Sequence, residues 1–260
     1  MPNHIQNRLV VTANSNEELK DFLLRIKSNE LFDGKEQEID FNQIIPMPMA
    51  LRDTEASSRT DDAIYYYLVK TNQTEMVRSI LSYPPQCNTM DKFADRNETE
   101  LNELFELGKK YVEIFKECGA KNWYDWSCAN WGTKWNAYNT CLETLDEYSV
   151  VLSFQTAWCG VPKIIEKLTE MFPTIIFDYK YADEDMGYNC GEGYGEDGEF
   201  SFLMLQGGSQ EAIETYALCW DYDIDNFYED DKGHWHNREW EDEDEDEDEE
   251  DDDDNDDDDE

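Results

Sequence analysis

The sequence predicts an α+β fold, in which an antiparallel or mixed sheet carries helices on one face. Two observations predict it. Runs with the two-residue period of β-strands occupy residues 8–13, 147–157 and 174–181. Segments with apolar residues at helical spacing, residues 98–116 and 161–172, lie between those runs.

The first strand and the first helix are predicted near the start of the chain. Residues 8–13 (RLVVTA) form a short β-type run, and Ser15 with Glu18 makes a capping box that begins a helix. Apolar side chains then fall on one helical face as far as Ile26. Residues 40–51 contain two prolines, which exclude a regular strand or helix interior, so we expect an extended arm there.

A helical insertion is expected at about residues 58–118. Thr60 can cap its first helix, and apolar residues at helical spacing over 76–81 suggest a second, which Pro84 ends. The longest helix is predicted over 98–116, where a Cys-Gly pair follows it.

The second half of the chain is predicted to continue with strands and helices after a tryptophan-rich block. This block, NWYDWSCANWGTKW at 122–135, holds four of the eight tryptophans. The expected elements after it are strands at 136–143, 147–157 and 174–181, helices at 161–172 and 210–220, and a hairpin with a Gly-rich turn at 186–206.

Charge divides the chain further. The 260 residues carry 63 Asp and Glu against 21 Lys and Arg, a formal net charge of −42. Residues 241–260 hold 19 of these acids and no base, so residues 1–240 still carry −23. We therefore expect an α+β domain at 1–220, an acidic linker at 221–240 and a disordered polyacidic tail at 241–260.

This charge excludes two classes of partner and indicates a third. Nucleic acid and anionic membranes both bind Lys and Arg, so neither direct nucleic-acid binding nor membrane binding is expected. A protein with a basic surface is the natural counterpart.

The tail is the first candidate binding segment. Fully extended, it spans roughly 66 Å at ~3.3 Å per residue. Its 19 acids are then about 3.5 Å apart, close to the phosphate spacing of ~3.4 Å along one DNA strand. It can therefore occupy a basic channel meant for nucleic acid, although a solubility tail or a generic sink for basic proteins is the alternative. The residues expected to contact the partner are Glu241, Asp242, Glu243, Asp244, Glu245, Asp246, Asp251, Asp252, Asp253 and Asp254.

No cofactor, metal site or catalytic residue is predicted. Asp221 begins a pattern that resembles the opening of a calcium loop, but the Gly and Glu that the loop needs later are missing. His234 and His236 are expected in a solvated linker. The glycines of 191–198 are accompanied by acids and followed by a strand, which favours a hairpin over a phosphate loop. His4 is the one histidine outside the acidic end, so an enzyme is not expected.

The cellular compartment is predicted from what the chain lacks. Its seven cysteines are scattered and never spaced C-x-x-C, and the N-terminus has no signal-peptide pattern. No apolar run approaches the roughly 20 residues of a membrane helix. A cytoplasmic protein with reduced thiols is therefore expected.

Four short stretches carry a family resemblance. They are M-P-N-H-x-x-N-R-L at the start, I-I-P-M-P at 44–48, N-W-G-T-K-W-N-A-Y at 130–138, and F-x-T-A-W at 154–158. Together they resemble the YubB-type ferredoxin-like domain proteins of bacteriophages and plasmids. The resemblance implies a ferredoxin-like split β-α-β core with helices on one face, a phage or plasmid origin and no established activity. It does not imply a polyacidic C-terminus, so the feature particular to this protein is expected there.

The tryptophan block has two interpretations. Trp123, Trp126, Trp131 and Trp135, with Lys134 beside the last, either cover the sheet and determine the fold or form an aromatic docking surface. Burial of the rings would favour the first interpretation, and exposure would favour the second.

The charge and the resemblance together suggest a phage-encoded, non-enzymatic inhibitor of a host nucleic-acid-handling or antiviral defence protein. It would bind a basic nucleic-acid-binding surface of a nuclease, a restriction enzyme or another defence complex by acidic, DNA-mimic-like contact in the host cytoplasm. One alternative is a defence inhibitor that docks through its folded body and blocks complex assembly, with the tail only accessory. A second alternative is a protein that binds or cleaves a nucleotide signal. The oligomeric state stays open.

Overall fold

Six of the strands form one sheet. The computed structural model describes residues 3–29, 35–81 and 90–239. Its strands are β1 (His4–Thr12), β2 (Tyr138–Thr144), β3 (Ser149–Ala157), β4 (Ile176–Asp183), β5 (Gly191–Glu196), β6 (Glu199–Met204), β7 (Phe227–Glu229) and β8 (Trp235–Asn237). The sheet has the order β2-β3-β1-β4-β5-β6, and β7 pairs with β8 in a separate hairpin.

The helices vary from single turns to one of 21 residues. They are α1 (Asn16–Ile26), α2 (Phe41–Ile44), α3 (Met49–Arg52), α4 (Ser58–Lys70), α5 (Val77–Ile80), α6 (Glu98–Cys118), α7 (Trp123–Asn130), α8 (Pro162–Met171) and α9 (Gln210–Trp220). None of the helices in the described ranges is long and apolar enough to cross a membrane.

The order of the strands defines the fold. All neighbouring strands of the sheet are antiparallel. β1 and β2 are joined through α1 and the helical insertion, and β3 lies between them in the sheet. β3 and β4 are joined through α8, and β1 lies between them. Two interleaved split β-α-β units of this kind make a ferredoxin-like arrangement. The predicted fold class, α+β with an antiparallel sheet, is confirmed.

The main core lies between one face of the sheet and helices α1 and α8. Every second residue of β1 is buried, and Ile5, Leu9 and Val11 belong to the core cluster that includes these helices. Phe22 of α1 meets Phe172, just after α8, edge to face with ring centroids 5.0 Å apart. Burial of these side chains fixes the register, because a shift by one residue would turn the polar side chains of β1 inward.

Helix α9 departs from the expectation that the helices share one face. It packs on Ala182 of β4, which points away from α1 and α8. Trp220, its last residue, donates a hydrogen bond from Nε1 to the carbonyl oxygen of Asp183 at 3.0 Å. The apolar stripe of α9 predicts burial, but the sheet face that it covers depends on the direction in which the chain leaves β6.

The helical insertion has an apolar cluster of its own. Leu68 of α4 and Leu104 of α6 are buried in it. The two helices approach closely, since a Cβ atom added to Gly108 would lie 2.0 Å from the carbonyl oxygen of Ala63. Pro84, which is expected to end the second helix, lies outside the described residues.

Two segments expected to be irregular contain regular structure. The arm at 40–51 holds the short helices α2 and α3. Asp40 caps α2, since its Oδ1 accepts from the Asn42 backbone N–H at 2.9 Å. Pro48 precedes the first residue of α3, where a proline is tolerated. The acidic linker predicted at 221–240 contains, as far as residue 239, the β7–β8 hairpin, which is anchored by buried Phe227 against α9.

The Gly-rich stretch is strand β5 and not the turn. The turn is Asp197-Gly198, whose φ angles are 53° and 81°. The alternate glycines are needed because side chains from neighbouring elements occupy the space above them. A Cβ atom on Gly193 would lie 2.5 Å from Cζ of Phe200 in β6.

Candidate functional site

Several of the quoted sequence stretches meet at one end of the sheet, which we call the His4 end. His4 begins β1 there and pairs with Ala157 at the end of β3. Its neighbour Ile5 pairs with Asp183 at the end of β4. Tyr138, which ends the tryptophan-rich block, begins β2 and contacts the His4 ring.

A buried carboxylate joins three loops at the His4 end. Asp183 accepts hydrogen bonds from Nδ2 of Asn3 at 3.0 Å and from Nδ2 of Asn189 at 2.8 Å. The Asn189 amide also donates to the carbonyl oxygen of Trp158 at 2.9 Å. The Trp158 backbone N–H in turn donates to the carbonyl oxygen of Asn3 at 3.0 Å. These bonds fix the backbone of Trp158 from both sides.

Trp158 has a strained backbone conformation. Its φ angle is 71°, in the left-handed region that a bulky residue rarely adopts. Such a conformation costs on the order of 1–3 kcal/mol and persists where the surrounding contacts hold it. The result is that the indole ring, 39% exposed, stands at the surface instead of continuing the strand.

An exposed aromatic pair flanks a lysine beside this turn. The ammonium nitrogen of Lys134 lies 4.6 Å from the centroid of the Trp135 ring and 5.0 Å from that of Trp158. Trp135 is 38% exposed. We call these three residues the Trp–Lys–Trp surface. Exposed indole rings of this kind are frequent anchors in protein interfaces.

The rest of the tryptophan block is structural. Trp131 is 3% exposed, and its Nε1 donates to the carbonyl oxygen of Ile45 at 2.9 Å. Trp126, 6% exposed, meets it edge to face at 5.4 Å. Trp123 is half-buried against the same core. The block therefore divides between the two interpretations, with Trp126 and Trp131 in the core and Trp135 and Lys134 at the surface.

A cavity of about 530 Å³ opens next to Trp135, and we call it the Asp40 cavity. Asp40, which lines it, is nine-tenths buried. Its Oδ1 accepts from Nδ2 of Asn136 at 2.7 Å and from the Asn42 backbone N–H. Within the described ranges Oδ2 has no hydrogen-bond partner. A carboxylate in an aromatic pocket, with one oxygen unused, fits a cationic group.

His4 and Tyr138 line the same cavity. Nδ1 of His4 lies 2.7 Å from the Tyr138 hydroxyl oxygen, and that hydroxyl donates its proton to the carbonyl oxygen of Thr156 at 3.2 Å. Burial, with the nearby Glu184 carboxylate as a smaller cause, raises the pKa of Tyr138 to about 12, so the phenol stays protonated at neutral pH. Within the part of the chain that the structure describes, the His4 ring makes no hydrogen bond to a Ser or Cys. No group of three or more His, Cys, Asp and Glu side chains there could hold a metal ion.

Negative charge is concentrated in the last third of the described chain. Residues 178–239, which we call the acidic unit, contain 17 Asp and Glu against three Lys and Arg. Helix α9 packs on β4, and Phe227 of the β7–β8 hairpin packs on α9, so these three elements are in contact within the acidic unit. The exposed acids at the β5–β6 turn, Glu196, Asp197 and Glu199, belong to it.

The sequence-predicted binding residues of the tail, 241–246 and 251–254, lie outside the described residues. Sequence reasoning missed Asp40 and did not assign a role to Trp158. Asp40 has a local signal, since Asp is one of the residues preferred at a helix N-cap. For Trp158 the signal is its place directly after a predicted strand, but the exposure of the ring depends on Asn3 and Asn189, which are distant in sequence.

The architecture is that of a ferredoxin-like α+β protein with a helical insertion and an acidic C-terminal unit. Residues 130–259 match the family model described as a ferredoxin-like domain in Api92-like protein. The match covers half of the chain, and the chain belongs to this family. That the chain belongs to a ferredoxin-like domain family is thereby confirmed, while the YubB-type resemblance and the phage or plasmid origin stay predictions.

One solved structure is similar over most of its length. The crystal structure of a protein api92 from Yersinia pseudotuberculosis is 10% identical, with a TM-score of 0.35, and the alignment covers 80% of this chain and 100% of that chain. No curated protein matches.

Proposed function

We propose that this protein is a phage-encoded, non-enzymatic inhibitor that binds the basic nucleic-acid-binding surface of a host defence or nucleic-acid-handling protein. The charge of the acidic unit is the observation that supports it, with 17 acids and three bases in residues 178–239. Residues 241–260, with 19 further acids, follow this region in the sequence. A groove built to bind phosphates would attract both.

The proposal implies a particular dependence on salt. Opposite charges steer two proteins together and raise the association rate, and the effect falls steeply as ionic strength rises. Charges are screened beyond about 8 Å at physiological ionic strength. Capture of the partner should therefore weaken progressively with salt, unlike capture through an apolar surface.

The test is a pull-down from nuclease-treated bacterial lysate across a salt series, with captured proteins identified by mass spectrometry. Full-length protein is compared with a variant of equal length in which the acids of 241–260 become Asn and Gln. A second variant carries Glu196→Gln, Asp197→Asn and Glu199→Gln in the acidic unit. Its matched control carries Glu103→Gln, Glu106→Gln and Glu113→Gln on exposed positions of α6.

The expected result is a nucleic-acid-binding protein that full-length protein captures at low salt and both acidic variants capture less well. The α6 control should behave like the full-length protein, since it loses the same charge elsewhere. Equal capture by all four proteins at every salt concentration would contradict the proposal.

The Trp–Lys–Trp surface supports a second candidate, docking of a defence complex through the folded body. Trp135 and Trp158 are exposed, and Trp135 lines the Asp40 cavity, whose carboxylate can receive a Lys or Arg side chain of the partner. Trp135→Ala and Asp40→Asn should then abolish capture that persists at high salt. If such capture survives both changes, this candidate fails.

The nucleotide-signal alternative stays a prediction. Calorimetry of the full-length protein with cyclic nucleotides tests it, and an absence of binding heat would remove it.

A further inference from the structure

The two edges of the sheet differ in how they are protected. At the β2 edge, a bulge interrupts the pairing between Tyr138 and Cys141. The segment before α2 also contacts that edge, where the Glu38 backbone N–H donates to Oγ1 of Thr140 at 2.9 Å. Bulges and covering loops are the usual means by which a protein prevents strands from adding to an edge.

The β6 edge has none of these features among the described residues. Its pairing with β5 is continuous from Glu199 to Met204, without a bulge. The strand, EFSFLM, contains no Lys and no Pro. Leu203 is 58% exposed and Met204 is 57% exposed, and no described strand pairs with the outer side of β6.

The register shows which backbone groups face outward. Glu196 and Glu199 close a two-residue turn, and the Leu205 backbone N–H donates to the carbonyl oxygen of Cys190 at 3.0 Å. Hydrogen-bonded and non-hydrogen-bonded pairs alternate between these two points in an antiparallel ladder. The N–H and C=O groups of Phe200, Phe202 and Met204 therefore point away from β5, toward the open edge.

The side chains beside this edge specify what fits it. On the helix face, the Phe202 ring stacks on Tyr181 at 6.1 Å and on Phe200 at 6.5 Å, so an apolar surface continues to the edge. On the other face Leu203 pairs with Glu192, whose carboxylate is already paired with Lys180 at 2.7 Å, and the acidic turn residues Glu196, Asp197 and Glu199 lie at one end of the strand. An added strand thus meets apolar side chains on one face and carboxylates on the other.

We propose that β6 is a docking edge for an extended basic segment of a partner protein, which adds as a seventh strand. Alternate side chains of that segment would be apolar, next to Phe200 and Phe202, and Lys or Arg, next to the acids. A second copy of this chain is a poorer occupant, because each copy carries a net charge of −42. The inference rests on the proposed function for the basic character of the partner.

The test uses full-length protein and a short labelled peptide of alternating Val and Lys, followed by fluorescence anisotropy. Met204→Pro removes one outward N–H and is compared with Met204→Ala, which keeps it. A proline is tolerated on an edge strand where its nitrogen faces solvent, and the melting temperatures of both variants confirm folding. We expect the peptide to bind Met204→Pro at least about tenfold more weakly than Met204→Ala.

A measurement on the unaltered protein keeps the test independent of folding. Amide hydrogen exchange of Phe200, Phe202 and Met204 should be rapid in the free protein and slower with the Val–Lys peptide bound. Slow exchange at these three amides in the free protein would overturn the proposal, because the edge would already be occupied. So would a dimer at physiological ionic strength in sedimentation that Met204→Pro dissociates, since a second copy would then be the occupant.

The failure of this inference is distinguishable from that of the proposed function. Salt-sensitive binding of the Val–Lys peptide to both Met204 variants alike, with the three amides unprotected, would overturn strand addition and leave acidic binding intact. If a Val–Glu peptide bound as tightly as the Val–Lys peptide, the inference that the partner segment is basic would be wrong. Failure of the lysate capture, with the Val–Lys peptide still protecting the edge, would contradict the proposed inhibition alone.

Discussion

Replacing Trp131 and Trp135 one at a time separates the structural tryptophans from the exposed one. Trp131→Ala removes a ring that is 97% buried (3% exposed) and leaves the carbonyl oxygen of Ile45 without its Nε1 donor. Truncation of a buried Trp costs about 3–5 kcal/mol of unfolding free energy, and this range already includes the lost hydrogen bond. Trp135 is 38% exposed, with the Lys134 ammonium over its ring face and the Tyr138 ring edge to face with it. A surface cation–π contact is worth about 0.5–1 kcal/mol.

Urea unfolding of the two variants, followed by far-ultraviolet circular dichroism, measures this difference. We expect the free energy of unfolding to fall by about 3–5 kcal/mol for Trp131→Ala and by about 1 kcal/mol for Trp135→Ala. Fluorescence is unsuitable as the probe because both changes remove a fluorophore. Equal losses in the two variants, or a loss below about 1 kcal/mol for Trp131→Ala, would refute the assignment of Trp131 to the core.

Three other outcomes are expected. Gly195→Ala should destabilise the fold by about 1–3 kcal/mol, because its Cβ would lie 2.4 Å from Oγ1 of Thr169. In urea titrations, adding Thr169→Ala should recover part of this loss. Strictly additive losses in the double variant would contradict the prediction. Hydrogen bonds, the largest from the His234 backbone N–H, lower the pKa of Asp230 to about 2. At pH values above about 4, the pKa of an unfolded Asp, the ionised carboxylate therefore stabilises the β7–β8 hairpin. This stabilisation disappears as the pH falls through about 2. An NMR titration of the Asp230 carboxyl group with a midpoint near about 4 would contradict the prediction. Burial raises the pKa of Tyr138 to about 12, so the free energy of unfolding falls as the pH rises from about 10 toward 12. Tyr138→Phe should remove one late phase from an ultraviolet titration of the tyrosines. An unchanged late phase would show that another tyrosine accounts for it.

Local sequence signals were enough for the elements whose ends are capped by nearby residues. Ser15 accepts from the Glu18 backbone N–H at 3.2 Å, as its capping pattern predicts. Gly119 ends α6 with a φ of 74°, which is typical of a C-terminal glycine. In both cases the interaction that decides the structure lies within one helical turn.

Contacts between distant residues decided the rest. The glycines of β5 indicate a turn when the sequence is considered alone, since the rings and the Thr169 hydroxyl that require them come from β4, β6 and α8. In the same way, the burial of Trp131 depends on Ile45, 86 positions earlier. The Asp40 cavity joins residues from positions 4–42 to residues 135–138, so no short pattern predicts it.

The charge of this chain gives a reason why an unprotected β6 edge can persist. An exposed apolar edge normally invites pairing between copies, and proteins prevent this with bulges, Lys or Pro. Two copies of this chain would bring together edges flanked by Glu196, Asp197 and Glu199, with a net charge of −42 on each molecule. Repulsion can therefore replace the usual protection against identical partners. The same negative charge attracts a basic segment, so the edge that repels a second copy of this chain can still bind the partner that we propose. Raising the salt concentration should accordingly weaken binding of the basic peptide while it increases self-association, and a sedimentation series in which both change in the same direction would contradict this argument.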